Sequence, residues 1–498
     1  MSYLSILLGG IVDKMFENLR NNQKLSLFII SLGSFMAYLD ISIVNVSLPT
    51  MAKFFQVGTS SVFWVILIYV IVLGSFVIAF GKLAQQKGYK KIFLTGVLIF
   101  IIGSALSGLA QQFDFLIIAR FIQAVGAAMF SAITAAMVAI YLPKNVRGRN
   151  MGIIVTMASL GMALGPVIGG FITQYINFHW IFYINVPIGI VAIILGRAVF
   201  KETATKPGKL DFLGILFIFI AQTTLIFALT KGLSYGWTSL PIMGSIITSV
   251  IFWILFLYQE SRTSEPILDL NFLRIKRIFL ATISNFWFNM PYAGAVVLLP
   301  FYFEIGRGFT VSQSGLALAV MPVAIMIVGP LAGILSDRID PNRVSMLGAI
   351  VGVIACLLIS SFNPSTSLVF MAIALLVMGT SVAMFNPPNT KFIVGESPLE
   401  FRGIASGLVT TARMMGMGFG TSILASAAIA SIFMHGEPNT TLTITPVSFS
   451  AGLHTAFLLG AVIMVVALIF ISLTKRTRKP QKNEVKPRDS GFASFHHE

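Results

Sequence analysis

Charge is scarce in this chain of 498 residues: Asp, Glu, Lys and Arg together make up 10% of it, against 56% hydrophobic residues. A surface so poor in charge cannot be wrapped in water, which excludes a soluble globule. Cysteine is nearly missing, and the single Cys356 excludes a disulfide framework while saying nothing about compartment. Histidine is little better represented, with His179, His435, His454 and two more in the tail. Without a cluster of His, Cys and acids at one depth there is no catalytic set and no metal site, so an enzyme is not expected. Strands of alternating polarity are absent too, which excludes a β-barrel. Repeated rings of pore-lining groups are also missing, which weighs against a channel. No small-residue cleavage site follows the first 24 residues, so no cleaved signal peptide is expected.

What the chain does have is long apolar runs. Fourteen of them lie between Leu25 and Thr474, separated by short polar segments, and each approaches the about 20 residues needed to span hydrocarbon. An all-α integral membrane protein follows, since only helices satisfy their own backbone in lipid. The formal charge of +16 is explained by its distribution. When the runs are threaded, about 29 of the 34 Lys and Arg residues fall on one side. They include Lys87, Lys90 and Lys91, Arg147 and Arg149, Arg274 to Arg277, and the tail "KRTRKPQK". That side is expected to be the cytoplasm, with both termini on it, in a multi-pass protein of a prokaryotic cell membrane. Lys53, Lys231 and Arg307 fall outside, and Arg120 and Arg413 fall within spans. An orientation signal accounts for the charge, so nucleic acid is not an expected partner, whereas anionic lipid is. Residues 1–24 read either as an interfacial amphipathic segment or as a frayed terminus, and 475–498 as a basic cytoplasmic tail.

The chain also repeats. "GKLAQQKGYKK" after the second run returns as "GILSDRIDPNR" after the tenth, and "RGRNMG" before the fifth as "RGIASG" before the thirteenth. Loops that recur eight spans apart predict two six-helix bundles, 25–200 and 277–474, with two helices and their linkers inserted at 201–276, a 6+2+6 plan. Parallel repeats of this kind place a substrate site near the midplane and work by alternating access.

With these motifs in order the chain resembles the fourteen-helix drug:proton antiporter branch of the major facilitator superfamily, over residues 25 to 474. "LDISIVNVSLP" is similar to the family's first-helix motif, and "RFIQAVG", with Arg120, Gln123 and Gly126, to its fourth-helix motif. "GMALGPVIGG", with Gly161, Gly165, Pro166, Gly169 and Gly170, is similar to the antiporter motif, and "HWIFYINVPIG" to the sixth-helix signature. The resemblance implies proton-coupled efflux of hydrophobic or amphipathic small molecules, with a proton gradient as energy source and no cofactor. An exporter of one metabolite, such as a siderophore, lipid precursor or sugar, is the alternative. An uptake symporter is third, disfavoured by the Gly165-Pro166 motif. A monomer is expected. The cytoplasmic gate would use Gly81, Gly88, Lys90, Gly333, Asp337, Arg338 and Arg402. Gln85 and Gln86 stand where the family usually carries an Asp and a basic residue, so a clamp is expected to depend on Asp337 and Arg338. His179 occupies the basic position of the sixth-helix signature, as a solvated surface group or a proton-linked one.

Helical rise of about 1.5 Å per residue puts Asp40, Arg120 and the Gly165-Pro166 pair in the outer half of the membrane, which makes Asp40 and Arg120 expected neighbours. Burial favours a protonated Asp40, and a nearby Arg favours the charged form. A proton carrier must visit both conditions; the competing reading is a permanent ion pair that only fixes packing. Gly161, Gly165 and Gly169 recur at helical spacing and give one smooth face for close approach. The cavity is expected to draw on Met36, Asn285, Phe286, Trp287, Asn289, Phe385, Asn386, Asn389 and Arg413, although the amides could equally bond helix to helix. Such a wall suits neutral, monocationic or zwitterionic amphiphiles. Glu304 is either a surface residue or an outer gate.

Overall fold

The computed structural model describes residues 22–143, 147–203, 205, 208, 210–263, 266, 273–398, 402–435 and 445–474. The expected interfacial segment before residue 22 and the basic tail 475–498 lie outside the described residues. Fourteen helices are long and apolar enough to cross a membrane. They are α1 Gln23–Phe54, α2 Thr59–Lys87, α3 Tyr89–Gly108, α4 Phe113–Tyr141, α5 Arg149–Tyr175, α6 Trp180–Val199 and α7 Phe212–Tyr235. The others are α8 Leu240–Arg262, α9 Lys276–Gly306, α10 Val311–Arg338, α11 Pro341–Ser360, α12 Leu368–Glu396, α13 Ile404–Met434 and α14 Pro446–Ser472. No strand occurs among the described residues.

Helix ends fall where side chains can take up free backbone N–H groups. Asn22 caps α1 by accepting from the Leu25 amide at 3.1 Å, Asp211 caps α7 at the Gly214 amide, and a Thr310–Gln313 capping box opens α10. Gly88 turns the chain between α2 and α3 at φ +93°, a conformation L side chains rarely adopt. The two inserted helices, α7 and α8, fall within the expected insert 201–276. Lys231, expected outside a span, sits within α7 and donates to the Ser61 hydroxyl at 2.6 Å.

Helix packing is duplicated. In the first group α1 packs on α4, α5 and α6, α3 on α4 and α6, and α2 on α4. In the second, α9 packs on α12, α13 and α14, α11 on α12 and α14, and α10 on α12, so each contact recurs between helices eight positions on. The glycine seam is repeated with it. A Cβ placed on Gly161 would stand 2.6 Å from the Phe35 carbonyl oxygen of α1, and one on Gly169 2.7 Å from that of Ile43. Gly165 is blocked in the same way by Ser42. On α13, Gly416 and Gly420 lie as closely against Phe286 and Met290 of α9. Bare backbone on one helix lets carbonyls of the next come into contact, which is how helices associate where lipid supplies no hydrophobic drive.

The two groups meet through α5 with α10 and α2 with α13. At the end opposite the basic loops, the Ser312 amide donates to Gln174 at 2.9 Å, Gly170 lies against Val311, and the Phe63 and Phe301 rings stand 5.6 Å apart. Toward the basic end α5 packs on one side only, since from Arg149 to Leu160 just Asn150 and Ile154 are buried. There α5 and α10 part, and a Cβ added at Gly152, Gly329 or Gly333 would meet nothing within 4 Å.

A side chain forced into the α1–α5 seam should cost about 1–3 kcal/mol as overpacking. Gly161→Leu is thus expected to lower the thermal unfolding midpoint of the purified protein, whereas Gly333→Ala should leave it unchanged. Equal midpoints for both variants would show that the seam opens freely.

Candidate functional site

Inside the first group lies a charged cluster with no access to solvent. Asp40 is 0% and Arg120 1% exposed. Arg120 Nη1 donates to Asp40 Oδ2 at 2.6 Å and to Gln123 Oε1 at 2.7 Å, and its Nε donates to the Val65 carbonyl at 3.2 Å. Gln123 Nε2 donates to Asp40 Oδ1 at 2.7 Å, and Asn185 Nδ2 reaches the same oxygen at 3.2 Å. Ser104 donates to the Phe182 carbonyl at 3.0 Å and accepts from both Gln123 and Asn185. The guanidinium is covered by the Tyr69 ring, 4.6 Å away, and the Phe182 ring, 5.7 Å away.

Local sequence explains the assembly. Arg120 and Gln123 are one turn apart and share a face of α4. Gly103 of α3 allows that face to approach, because a Cβ there would lie 2.7 Å from Gln123 Cβ, and Gly126 is pressed equally against Phe100. The cluster is neutral as a whole, which is what makes it tolerable in a medium where a lone charge is expensive. Protonation of Asp40 would change that balance by one unit, leaving the Arg120 charge without its counterion. Two polar atoms at the site, the Tyr69 hydroxyl and Asn185 Oδ1, are buried without a partner. Ser104, Asn185 and Tyr69 were not singled out by sequence reasoning. Asn185 lies within "HWIFYINVPIG", but nothing in an uncharged side chain marks its partner on a distant helix.

The expected cavity residues divide. Asn289 donates to Asn285 Oδ1 at 2.8 Å and to Asn386 Oδ1 at 3.3 Å, Asn386 donates back to Asn289, and Asn389 donates to the Ala281 carbonyl at 3.2 Å. Phe385 stacks on Phe288 at 3.8 Å. These groups lock α9 to α12; Asn285, Asn289, Phe385 and Asn389 are buried and do not line a cavity in this state. Met36 is likewise buried, beside Gly189. The reason is physical: amides that find one another across two helices bind the helices together, although Asn285 Nδ2 and Asn389 Oδ1 stay buried without a partner. Phe286, Trp287 and Arg413 remain partly exposed, and Asn386 is close to it.

At the basic end the expected gate is not a bridge between groups. Asp337 pairs with Lys391 of α12 and Lys90 with Glu202, each inside its own group. Arg338 is exposed, a Cβ added at Gly333 would meet nothing within 4 Å, and one at Gly81 would meet only the Ala132 carbonyl, at 3.9 Å. The Arg402 side chain lies outside those described. Glu304 sits half-buried in a π-helical turn, Tyr302–Gly306, that ends α9, with Oε1 unpartnered. His179 is buried, not solvated: it stacks on Phe178 at 4.0 Å, and the Ala110 carbonyl, 3.0 Å from Nε2, can only accept, which fixes a proton there.

Fourteen apolar helices in a twofold-repeated bundle, with a neutralised charge cluster sealed inside one half, define a multi-pass membrane protein built to carry solutes. The chain belongs to the major facilitator superfamily, whose model matches residues 30–421, and it is accordingly a transporter and not an enzyme. It is 31% identical over 425 residues to the Multidrug resistance protein Stp of Mycobacterium tuberculosis, covering 84% of this chain and 79% of that one. The Riboflavin transporter RibZ of Clostridioides difficile is 29% identical over 402 residues (80% of this chain, 87% of that one). The Methylenomycin A resistance protein of Bacillus subtilis is 28% identical over 411 residues (82% and 87%). Among solved structures, a mutant of the nucleoside transporter NupG superposes with a TM-score of 0.63 at 13% identity, covering 91% of this chain and 100% of that one, a likeness of fold alone.

Removing one partner of a buried ion pair leaves an uncompensated charge, at a penalty of about 3–5 kcal/mol, while removing both relieves most of it. Arg120→Gln should therefore destabilise the purified protein more than the double variant Asp40→Asn/Arg120→Gln, as read by thermal unfolding. Additive losses would show that the two side chains are not coupled.

Proposed function

We propose that the protein is a proton-coupled exporter of hydrophobic or amphipathic small molecules that works by alternating access between two six-helix bundles, 25–200 and 277–474, with α7 and α8 inserted. The basic end is assigned to the cytoplasm. One observation carries the reading above all: a carboxylate and a guanidinium sealed within the membrane part of a transporter, where an ionisable residue is by default functional. The multidrug resistance, antibiotic resistance and export names of its relatives support the substrate class. The duplicated helix contacts support the two-bundle plan.

In this reading Asp40 takes a proton when its cluster faces the outside and gives it up to the inside. Proton uptake removes the counterion of Arg120, whose remaining partners are Gln123 and the Val65 carbonyl. The Asp40 contact ties α1 to α4 and the Val65 contact ties α4 to α2, so a change in Asp40's charge is felt where these helices pack. Gln123 and Asn185 hold Oδ1 from the other side and set the geometry to which the deprotonated carboxylate returns. Export follows when, with the proton already released to the inside, the cargo-loaded cleft reopens to the outside, where cargo leaves and the next proton binds Asp40.

A second reading, export of one specific metabolite, is favoured by the likeness to a riboflavin transporter. Inverted membrane vesicles with an imposed proton gradient separate the two. Gradient-driven uptake of the fluorescent cation ethidium by wild type, reduced at least about tenfold in Asp40→Asn, is the expected result. Uphill uptake retained in Asp40→Asn would make Asp40 a packing partner only. Uptake of riboflavin but not of ethidium would favour the single-metabolite reading.

A further inference from the structure

Arg120 has its counterion; Arg413 does not. Arg413 lies on α13 about 13 Å from the helix's basic end, counting from Ile404 at about 1.5 Å per residue. Among the described residues no hydrogen bond or ion pair reaches it, and its Nε is buried without an acceptor. Its flanking residues Ala412 and Met414 are 6% and 4% exposed, whereas Arg413 itself is partly open. So are Thr410 and Ser406, which fall on the same helix face one and two turns toward the basic end. That face is bounded by the seam with α9 at Gly416 on one side and by Met414, against Gly74 of α2, on the other. It therefore looks into the space between the two groups, on a path from the end where α5 and α10 part.

No acid is available to neutralise it. Among the described residues of the helices packed on α13, namely α2, α7, α9, α12 and α14, the carboxylates are Glu304 and Glu396, both at helix ends, and Glu396 is held by Arg277 at 2.5 Å. Asp40 is fully engaged by Arg120, Gln123 and Asn185. The neighbours Arg413 does have suit a ligand. Tyr292 of α9 is within electrostatic range of both Arg413 and Tyr38 of α1, and its hydroxyl lies 3.4 Å from Met162 Sδ of α5. A guanidinium, the Tyr292 hydroxyl and the partly exposed Phe286, which lies against Gly416 one turn from Arg413, thus fall together where α9 meets α13.

We infer that Arg413 receives an anionic group, in the first instance a carboxylate, on the transported amphiphile, an inference that rests on the export reading above. A guanidinium presents a planar fork that fits a carboxylate with two parallel hydrogen bonds, and it has no other partner at that depth. The preferred cargo then carries a negative group beside an apolar or aromatic body. Zwitterions gain from this contact, and a simple cation such as ethidium is carried without it.

The test uses rhodamine B and its ethyl ester, which share a ring system and differ by one free carboxylate, and reads equilibrium binding to the purified full-length protein by fluorescence anisotropy. Wild type should bind the acid more tightly than the ester, and Arg413→Gln should lower the acid-to-ester affinity ratio about tenfold or more, the scale of a charge-assisted bond. Arg413→Lys, which keeps the charge but loses the fork, should give an intermediate ratio and serves as the test if Arg413→Gln does not fold. A ratio unchanged in either folded variant, including a parallel loss of both dyes, overturns the inference. Ethidium uptake into vesicles is scored separately: its absence in wild type counts against drug export, and the binding ratio still reports on Arg413.

Discussion

Hydrocarbon cannot solvate a carboxylate, and the presence of Asp40 on α1 therefore dictates much of what surrounds it. One oxygen is met by Arg120 of α4, the other by Gln123 of α4 and Asn185 of α6, and Ser104 of α3 accepts from both amides. Four helices are drawn to one point by the need to satisfy a single group. The glycines follow from the same need, because Gly103 and Gly126 let α3 and α4 come close enough for the donors to reach. The aromatic lid of Tyr69 and Phe182 follows as well, as the face on which a delocalised cation rests without water.

The duplication makes the placement of charge more informative. Phe35 and Phe286 occupy matching places against Gly161 and Gly416, and counting on equally from each leads to Asp40 in the first group but Pro291 in the second. Met129 and Met384 match against Gly96 and Gly348, and counting back equally leads to Arg120 and Leu375. One scaffold thus holds a sealed ion pair in one half and an apolar counterpart in the other. The second half instead places its one mid-helix charge, Arg413, on a face open to the cleft. The two arginines thus differ in setting: Arg120 is sealed against its counterion, and Arg413 is partly open.

Much of this was legible in the chain itself. Continuous apolar runs fix helices, loops recurring eight spans apart announce the doubled packing, and two opposite charges at similar depth in lipid have little choice but to meet. The amides were ambiguous for a reason that sequence cannot resolve. Asn285 and Asn289 share a helix face, but whether that face turns to water or to Asn386 depends on the rotation of α9 against α12, a property of the packed pair. Ser104 and Asn185 escaped notice because neutral polar residues are common in membrane helices and acquire meaning only from what they touch. The gate residues were misjudged differently: Asp337 finds Lys391 locally, and the parting of α5 from α10 removes the surface that a bridge between groups would need.

The inserted helix α7 lies against both α2 and α13. Gln222 donates to Ser75 and Lys231 to Ser61 on one side, while Thr230 bonds Ser422 and Ser426 donates to the Leu229 carbonyl on the other. Both covers of the molecule are thereby stitched to one spine. Sliding α2 past α13 would tear these stitches, whereas swinging α5 from α10 at the far edge strains none of them. A body bound in this way opens like a book, from the fore-edge, and its hinge line runs beside α7.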